Sequence, residues 1–312
     1  MWTVLAFISA LCLGFYDISK KIALRENKVI DVLMLSVCFS SLLLSIPLIL
    51  SRLAPELMMS THFYVPELDR TAHLYTILKS VIVLSSWVFA YISLKHLPLS
   101  IVSPMQATRP MWTLIGALLI FNEQLNTYQW IGVLLAIGTV FIFSFKGPQP
   151  IAHSQKQNSY YIALALAILI GACSGLYDKY LMRRYDHNAV QVYYTFYQAV
   201  MMLVVWTIDR YVTTKKTDKN APTDRVKFLF RHPSSLLPIL LISVFLIISD
   251  NVYMLALRDP DSMIAVVSTI RRGGAVIGFA YGLIFLKEED PWRKVACMLG
   301  ILAGLVFLAL GA

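Results

Sequence analysis

The chain has 312 residues, 58% of them hydrophobic and only 14% charged, with a mean hydropathy of +0.66. A soluble domain carries about 25% charged residues, so this composition excludes one and describes an all-α polytopic membrane protein. The formal net charge of +9 would suit nucleic acid, but the basic residues lie between apolar runs, where membrane topology accounts for them and no nucleic-acid partner is implied.

Hydropathy predicts ten spans, at roughly 2–24, 29–51, 73–95, 98–121, 127–146, 159–182, 189–212, 236–257, 261–286 and 292–311. The first enters an apolar run at once, with no basic leader, and reads as a retained span rather than a signal peptide. Short connections make consecutive spans antiparallel neighbours. Pro98 suits the first turn of the fourth span, and Asn126 with Gln129 resembles a capping box for the fifth. Asp290-Pro291 suits the start of the tenth. Two connections are longer: 52–72, with Pro55 and Pro66, and the basic 211–235, whose Arg225–Arg231 segment suits a membrane surface. Cys12, Cys38, Cys173 and Cys297 fall inside spans and read as small apolar residues. Lys and Arg concentrate in the odd-numbered loops, which the positive-inside rule places inside, with both termini outside.

The ninth span organises the chain. Ser262–Leu286 is apolar at both ends and carries Arg271-Arg272 near its middle. Each arginine at mid-bilayer costs about 2.5–3.5 kcal/mol on an insertion scale, so something must answer it. The candidates are a water-filled cavity, acidic residues on other spans, or an anionic ligand.

An internal repeat adds to this. Gly14-Phe-Tyr16-Asp17 matches Gly175-Leu-Tyr177-Asp178, and Leu99-Ser100 through Arg109 to Asn122-Glu123 matches Asp261-Ser262 through Arg271 to Lys287-Glu288. Five spans per half is an odd number, so the second half enters the membrane from the opposite side. The expected architecture is ten transmembrane helices as two inverted five-helix repeats, 1–147 and 158–312, joined by a linker at 148–157. Such repeats underlie alternating access, with a substrate site at the midplane.

On Ser103-Pro104 through Arg109-Pro110, Gly116, Asn122-Glu123 and Trp130-Ile-Gly132, and on Ile270-Arg-Arg-Gly-Gly274, Gly278 and Lys287-Glu288, the chain resembles the drug/metabolite transporter superfamily and its EamA family in particular. The resemblance covers nearly the whole chain. It implies secondary transport of a small metabolite, with the first four spans of each half around a central cavity. It also implies a multi-pass protein of the cytoplasmic (inner) membrane. Arg271-Arg272 is also similar to the Lys-Arg pair that triose-phosphate translocators use on this span. Gln106 stands where those proteins carry a lysine, a departure that speaks against phosphate as the substrate.

The substrate-binding candidates are Arg109, Arg271, Arg272, Gln106, Tyr91, Asp250, Asn251 and Tyr253, of which Arg109, Gln106, Asp250, Tyr253 and Arg271 fall in the middle portions of their spans. Either the arginines touch an anionic or zwitterionic small molecule, or they pair internally with Asp17, Asp178 or Asp250. Asp17 and Asp178, with Tyr16 and Tyr177 beside them, lie near opposite membrane faces in an inverted repeat. They are candidates for gating or coupling, although Lys20 and Lys21 also offer Asp17 a local pair. The stripes Gly171-xxx-Gly175, Gly274-xxx-Gly278-xxx-Gly282 and Gly300-xxx-Gly304 read as close helix contacts. No nucleotide-binding loop, metalloprotease helix or nucleophile elbow occurs in the sequence. No cofactor, metal or enzymatic activity is therefore expected. The partners expected are substrate and membrane lipid, in a monomer or homodimer. The rival class is a non-transporting sensor or a lipid-modifying enzyme.

Overall fold

Hydrocarbon offers backbone groups no partner, so long apolar runs without strand alternation must close their hydrogen bonds within themselves, as helices. The structure, a computed structural model, describes residues 1–24, 27–96, 108–145, 155–216, 233–274, 276–277, 280–281 and 291–311. Every regular element among them is helical. The first four are α1 (Trp2–Leu24), α2 (Val29–Leu53), α3 (Pro55–Met59) and α4 (Arg70–His96). Then come α5 (Arg109–Ile120), α6 (Thr127–Phe145), α7 (Gln155–Met182) and α8 (His187–Lys216), followed by α9 (Pro233–Arg258), α10 (Ile264–Arg272) and α11 (Pro291–Leu310). Six described stretches are long and apolar enough to span a bilayer: Trp2–Leu24, Val29–Leu53, Arg70–Ala90, Ser159–Met182, His187–Tyr211 and Leu236–Arg258. The unexpected α3 falls in the 52–72 connection, where Pro55 occupies its first turn.

The side chains are arranged for lipid. Leu42, Leu119, Ile162, Val200 and Leu299 are each at least 60% exposed, while Ser80, Ser243, Ser249 and Thr76 are fully buried. Buried hydroxyls bond back to the preceding turn and across to neighbouring helices. Ser86 donates to the Ala167 carbonyl at 2.9 Å, and Ser41 donates to those of Val37 and Thr195 at 3.0 and 3.3 Å.

The chain folds as two units. The first comprises Met1–Gly14, Val81–Arg184 and Val252–Ala312. Within it α6 and α11 run antiparallel at backbone contact. A Cβ on Gly132 would lie 2.8 Å from the Gly304 carbonyl, and one on Gly304 would lie 2.9 Å from that of Gly132. The expected capping box at α6 is present: Asn126 and Gln129 exchange backbone-to-side-chain hydrogen bonds of 2.9 Å in both directions. Their amides also donate to the Gly311 carbonyl at the end of α11. α5 runs parallel to α7 and antiparallel to α10.

The second unit comprises Phe15–Ser80 and Tyr185–Asn251. Here α2 and α8 pack antiparallel. The Trp206 indole donates to Asp31 at 2.9 Å near one end, and Leu44 meets Ala189 and Val192 near the other. Ser243 on α9 donates to the Ser36 carbonyl of α2 at 2.8 Å. The connection after α3 is tied down by Asn188, whose amide donates to the His62 and Tyr64 carbonyls.

The predicted ninth span is not one uninterrupted helix. α10 ends at Arg272, with Gly273 as its C-cap. Four bonds then close over three residues: Gly273 N to Ile270 O, Gly274 N to Arg271 O, Val276 N to Gly273 O and Ile277 N to Gly274 O. A neighbouring helix explains the interruption: a Cβ on Gly274 would lie 2.4 Å from the Ala10 carbonyl of α1. Helical residues resume at 276–277 and 280–281. Pro98 and Asp290 lie outside the described residues.

The α6–α11 contact gives a stability prediction. Gly304→Leu forces a branched side chain onto Ala136 and the Gly132 backbone, an overpacking that costs about 1–3 kcal/mol. For a chain of this size each kcal/mol lowers the melting temperature by about 2–4 °C. Melting of the purified protein in detergent should fall accordingly. Leu302→Ala, at a 44% exposed position on the same helix, should leave it within a degree or two.

Candidate functional site

In the first unit, α5, α7, α9 and α10 bring together most of the charges singled out in the sequence. Arg109 on α5 is half-buried, and its Nη2 donates to the Gly171 carbonyl of α7 at 2.5 Å. That carbonyl lies within a helix, but an oxygen has two lone pairs and accepts a second donor. Gly171 is what allows the approach, since a Cβ there would sit 2.6 Å from the Arg109 guanidinium carbon. The groups that act electrostatically on Arg109 are Arg272 and Arg271 as like charges, with Tyr253 and Asp178 opposing them. Asp178 is 7% exposed.

Arg271 stacks its guanidinium 4.0 Å over the ring of Tyr253, which is buried. A cation on a desolvated ring face gains about 2 kcal/mol. Arg271 and Arg272 also occupy the last turn of α10, where the helix macrodipole favours cations by about 0.3–1 kcal/mol each. The break at Gly273 therefore gives the two arginines a negative helix end within the predicted span. Among the groups that act on Arg109, two further arginines accompany one carboxylate.

The other candidates fall as follows. Tyr177 stacks on Tyr180 at 5.8 Å. In the second unit, Tyr16 is half-buried with the Lys20 ammonium 5.6 Å from its ring centre, and Asp17 is exposed. Asn251 donates to Asn188 and Gln191, both at 2.8 Å, and Gln191 donates to the Ile247 carbonyl at 2.7 Å. Asp250 lines a pocket between α2, α8 and α9. Gln106 and the side chain of Tyr91 lie outside the described residues.

Two residues that sequence reasoning passed over hold the site's frame. Lys179 is fully buried, although by sequence it counts among the basic residues of the even-numbered loops. Its ammonium donates to the carbonyls of Leu257, Asp259 and Ser262 at 3.3, 3.4 and 2.6 Å, and to the Ser262 hydroxyl. Glu123, just past α5, accepts the Ile264 and Ala265 N–H groups at 2.6 and 3.2 Å. One residue closes the C-terminal end of α9 and the other caps the start of α10. The adjacency of Lys179 to Asp178 inside an apolar span was the available signal.

Apolar helices turned outward and polar groups turned inward define a multi-pass helical membrane protein. Residues 1–145 match the model of the EamA-like transporter family, as the resemblance in the sequence led us to expect, and this family consists of transporters of the drug/metabolite type. No curated protein sequence matches the chain. A crystal structure described only as that of a protein superimposes with a TM-score of 0.74, covering 99% of this chain and 96% of that one at 10% identity. The two share a fold.

Two predictions follow from this geometry. Gly171→Ala pushes a methyl into the Arg109 guanidinium and should cost about 1–3 kcal/mol by overpacking. In an Arg109→Ala background the same change should be close to neutral, and thermal unfolding of the four proteins measures the coupling. For Glu123, which lies in the α5–α6 connection, burial pushes the carboxyl above its ordinary 4.5, against the pull of the Ile264 and Ala265 N–H groups, Lys179 and Arg183. The folded chain thus keeps this proton to higher pH than the unfolded chain does. The stability that Glu123 contributes is full below pH 4.5 and falls as pH rises through the folded value. The melting temperature of the native chain minus that of Glu123→Gln should decline between pH 4.5 and neutrality; a difference that grows would reverse the sign.

Proposed function

We propose that this chain is a ten-helix secondary transporter that moves a small anionic or zwitterionic metabolite across a cytoplasmic membrane by alternating access. The observation that carries the reading is the first unit's cluster of Arg109, Arg271 and Arg272, held by a carbonyl, a ring face and a helix end, with Asp178 as the opposing acid. Three guanidiniums gathered at this depth suit an anionic group of a metabolite, and Tyr253 lies within the same cluster.

Helix pairing supports the inverted repeat. Helices at equivalent places in the two halves of the sequence touch in three cases: α2 with α8, α5 with α10, and α6 with α11. Each pair runs antiparallel, as equivalent helices do when related by a two-fold axis in the membrane plane. The half boundaries remain 1–147 and 158–312 in this reading.

The test is flux. The purified chain in proteoliposomes, loaded with a panel of small organic anions, zwitterions and cations, should exchange one or more of the first two classes. Arg271→Gln keeps polarity and approximate length while removing the charge. Loss of one charge-assisted hydrogen bond, about 1.5–3 kcal/mol, predicts uptake and binding at least ten-fold weaker, with a melting temperature lower by no more than the few degrees that the lost ring contact accounts for. A variant that melts much lower while binding as before would assign Arg271 to internal pairing. No flux for any solute would defeat the transporter reading.

A further inference from the structure

The second unit holds a small cavity that the anion reading does not use. It lies between α2, α8 and α9, and its walls include Ser40, Gln191, Thr195, Gln198 and Asp250. Three hydrogen bonds hold the helices in place around it, one for each pair. Ser41 of α2 donates to the Thr195 carbonyl of α8 at 3.3 Å, and Ser243 of α9 donates to the Ser36 carbonyl of α2 at 2.8 Å. The Gln191 amide of α8 donates to the Ile247 carbonyl of α9 at 2.7 Å. With each spacing fixed in this way, the helices do not close the cavity by packing more tightly.

Two polar atoms of its wall residues, Ser40 Oγ and Gln198 Nε2, have no hydrogen-bond partner in the protein. Ser40 is 3% exposed and Gln198 is 2% exposed. The buried hydroxyls of Ser41, Ser51 and Ser80 bond back to the carbonyl four residues earlier in their own helices, and that of Ser40 does not. A folded protein rarely leaves a buried donor unbonded, because folding has already removed the water that served it. Net charge does not enter the argument. Asp250 and Tyr194 also line the cavity, neither is without a partner, and the Tyr194 ring has the Lys79 ammonium 4.6 Å from its centre.

The wall chemistry and the size of the cavity identify the guest. The Gln198 N–H requires an acceptor, which neither a metal cation nor an ammonium group supplies. The Thr195 hydroxyl gives its hydrogen to the Gln191 carbonyl at 2.8 Å and is left to accept, so a guest that donates as well as accepts suits the wall best. The Ser40 hydroxyl takes either role. The cavity volume is about 10 Å³, close to one water-sized sphere and too small for an organic solute. We infer that this cavity is a binding site for a single water molecule, which accepts from Gln198, bonds to Ser40 and so links α2 to α8. The inference does not rest on the transporter reading, and it gives Gln198 a part in the packing of the second unit rather than in holding a solute.

Thermal unfolding of the full chain carrying Ser40→Ala, Gln198→Met or both tests the link. With a shared water, each single change removes one of its partners and should lower the melting temperature by about 2–4 °C. The double variant should then fall by less than the sum of the two, because either change alone already loosens the water. Without a water the two atoms are unbonded donors, and removing them should raise the melting temperature or leave it unchanged. Shifts that add, or a single change that does not lower the melting temperature, overturn the site. A crystal structure of the unsubstituted chain, at a resolution that shows other buried waters, should contain one peak within about 3.2 Å of both Ser40 Oγ and Gln198 Nε2. No peak there, or density longer than one atom, overturns the site. If a variant does not fold, the crystal structure decides.

Discussion

A guanidinium placed in hydrocarbon must be answered by something that is not water, and the first unit is arranged around that requirement. Arg109 reaches the carbonyl of Gly171, Arg271 lies on the ring of Tyr253, and the helix bearing Arg271 and Arg272 ends directly after them. Each arrangement needs a specific neighbour. The carbonyl is within reach only because position 171 lacks a Cβ. The ring is available because Tyr253 is buried on α9, and at the helix end α1 leaves no room for a side chain on Gly274 and Leu305 of α11 none on Gly273.

Ending a helix inside a membrane protein creates its own demand, because carbonyl and N–H groups at helix termini have no partner in their own helix. The connection between α9 and α10 meets this demand with side chains from elsewhere. Lys179 of α7 gathers three carbonyls, and Glu123 beyond α5 takes two N–H groups. These two residues fix where α10 begins, and therefore where its two arginines lie relative to Arg109. Charge at the frame satisfies backbone, whereas charge at the cluster is what the proposed function assigns to a solute.

Much of this was legible in the sequence, for reasons that differ by element. α1, α2 and α7 follow hydropathy closely because lipid exposure fixes both their length and their composition. The Asn126–Gln129 box was legible because capping is local. The mid-span arginines stood out because charge is rare at that depth. For Lys179 only its place beside Asp178 in an apolar span was legible; its partners were not, because they are backbone carbonyls 78 to 83 residues away and a carbonyl carries no residue signal. The Gly171-xxx-Gly175 stripe was read as a helix contact, whereas its glycines face Arg109 and the Tyr253 hydroxyl; a missing Cβ admits a guanidinium as readily as a backbone. The interruption of α10 escaped because two glycines in an apolar run fit a close-packed helix as well as a break.

The polar interiors of the two units are built differently: arginines dominate one, and joined amides the other. In the first unit the acid acting on Arg109 is one carboxylate among three arginines. In the second, Asp31 takes a neutral indole N–H from Trp206, and the amides of Asn188, Gln191 and Asn251 are joined to one another and to backbone carbonyls. Neutral amides that satisfy one another hold helices in register without neutralising a neighbouring acid. A bundle that only needed stability would gain more from apolar packing than from such groups, since a buried ion pair returns little beyond its own desolvation cost. The arginines of the first unit are therefore better explained by the proposed anionic solute than by the stability of the fold.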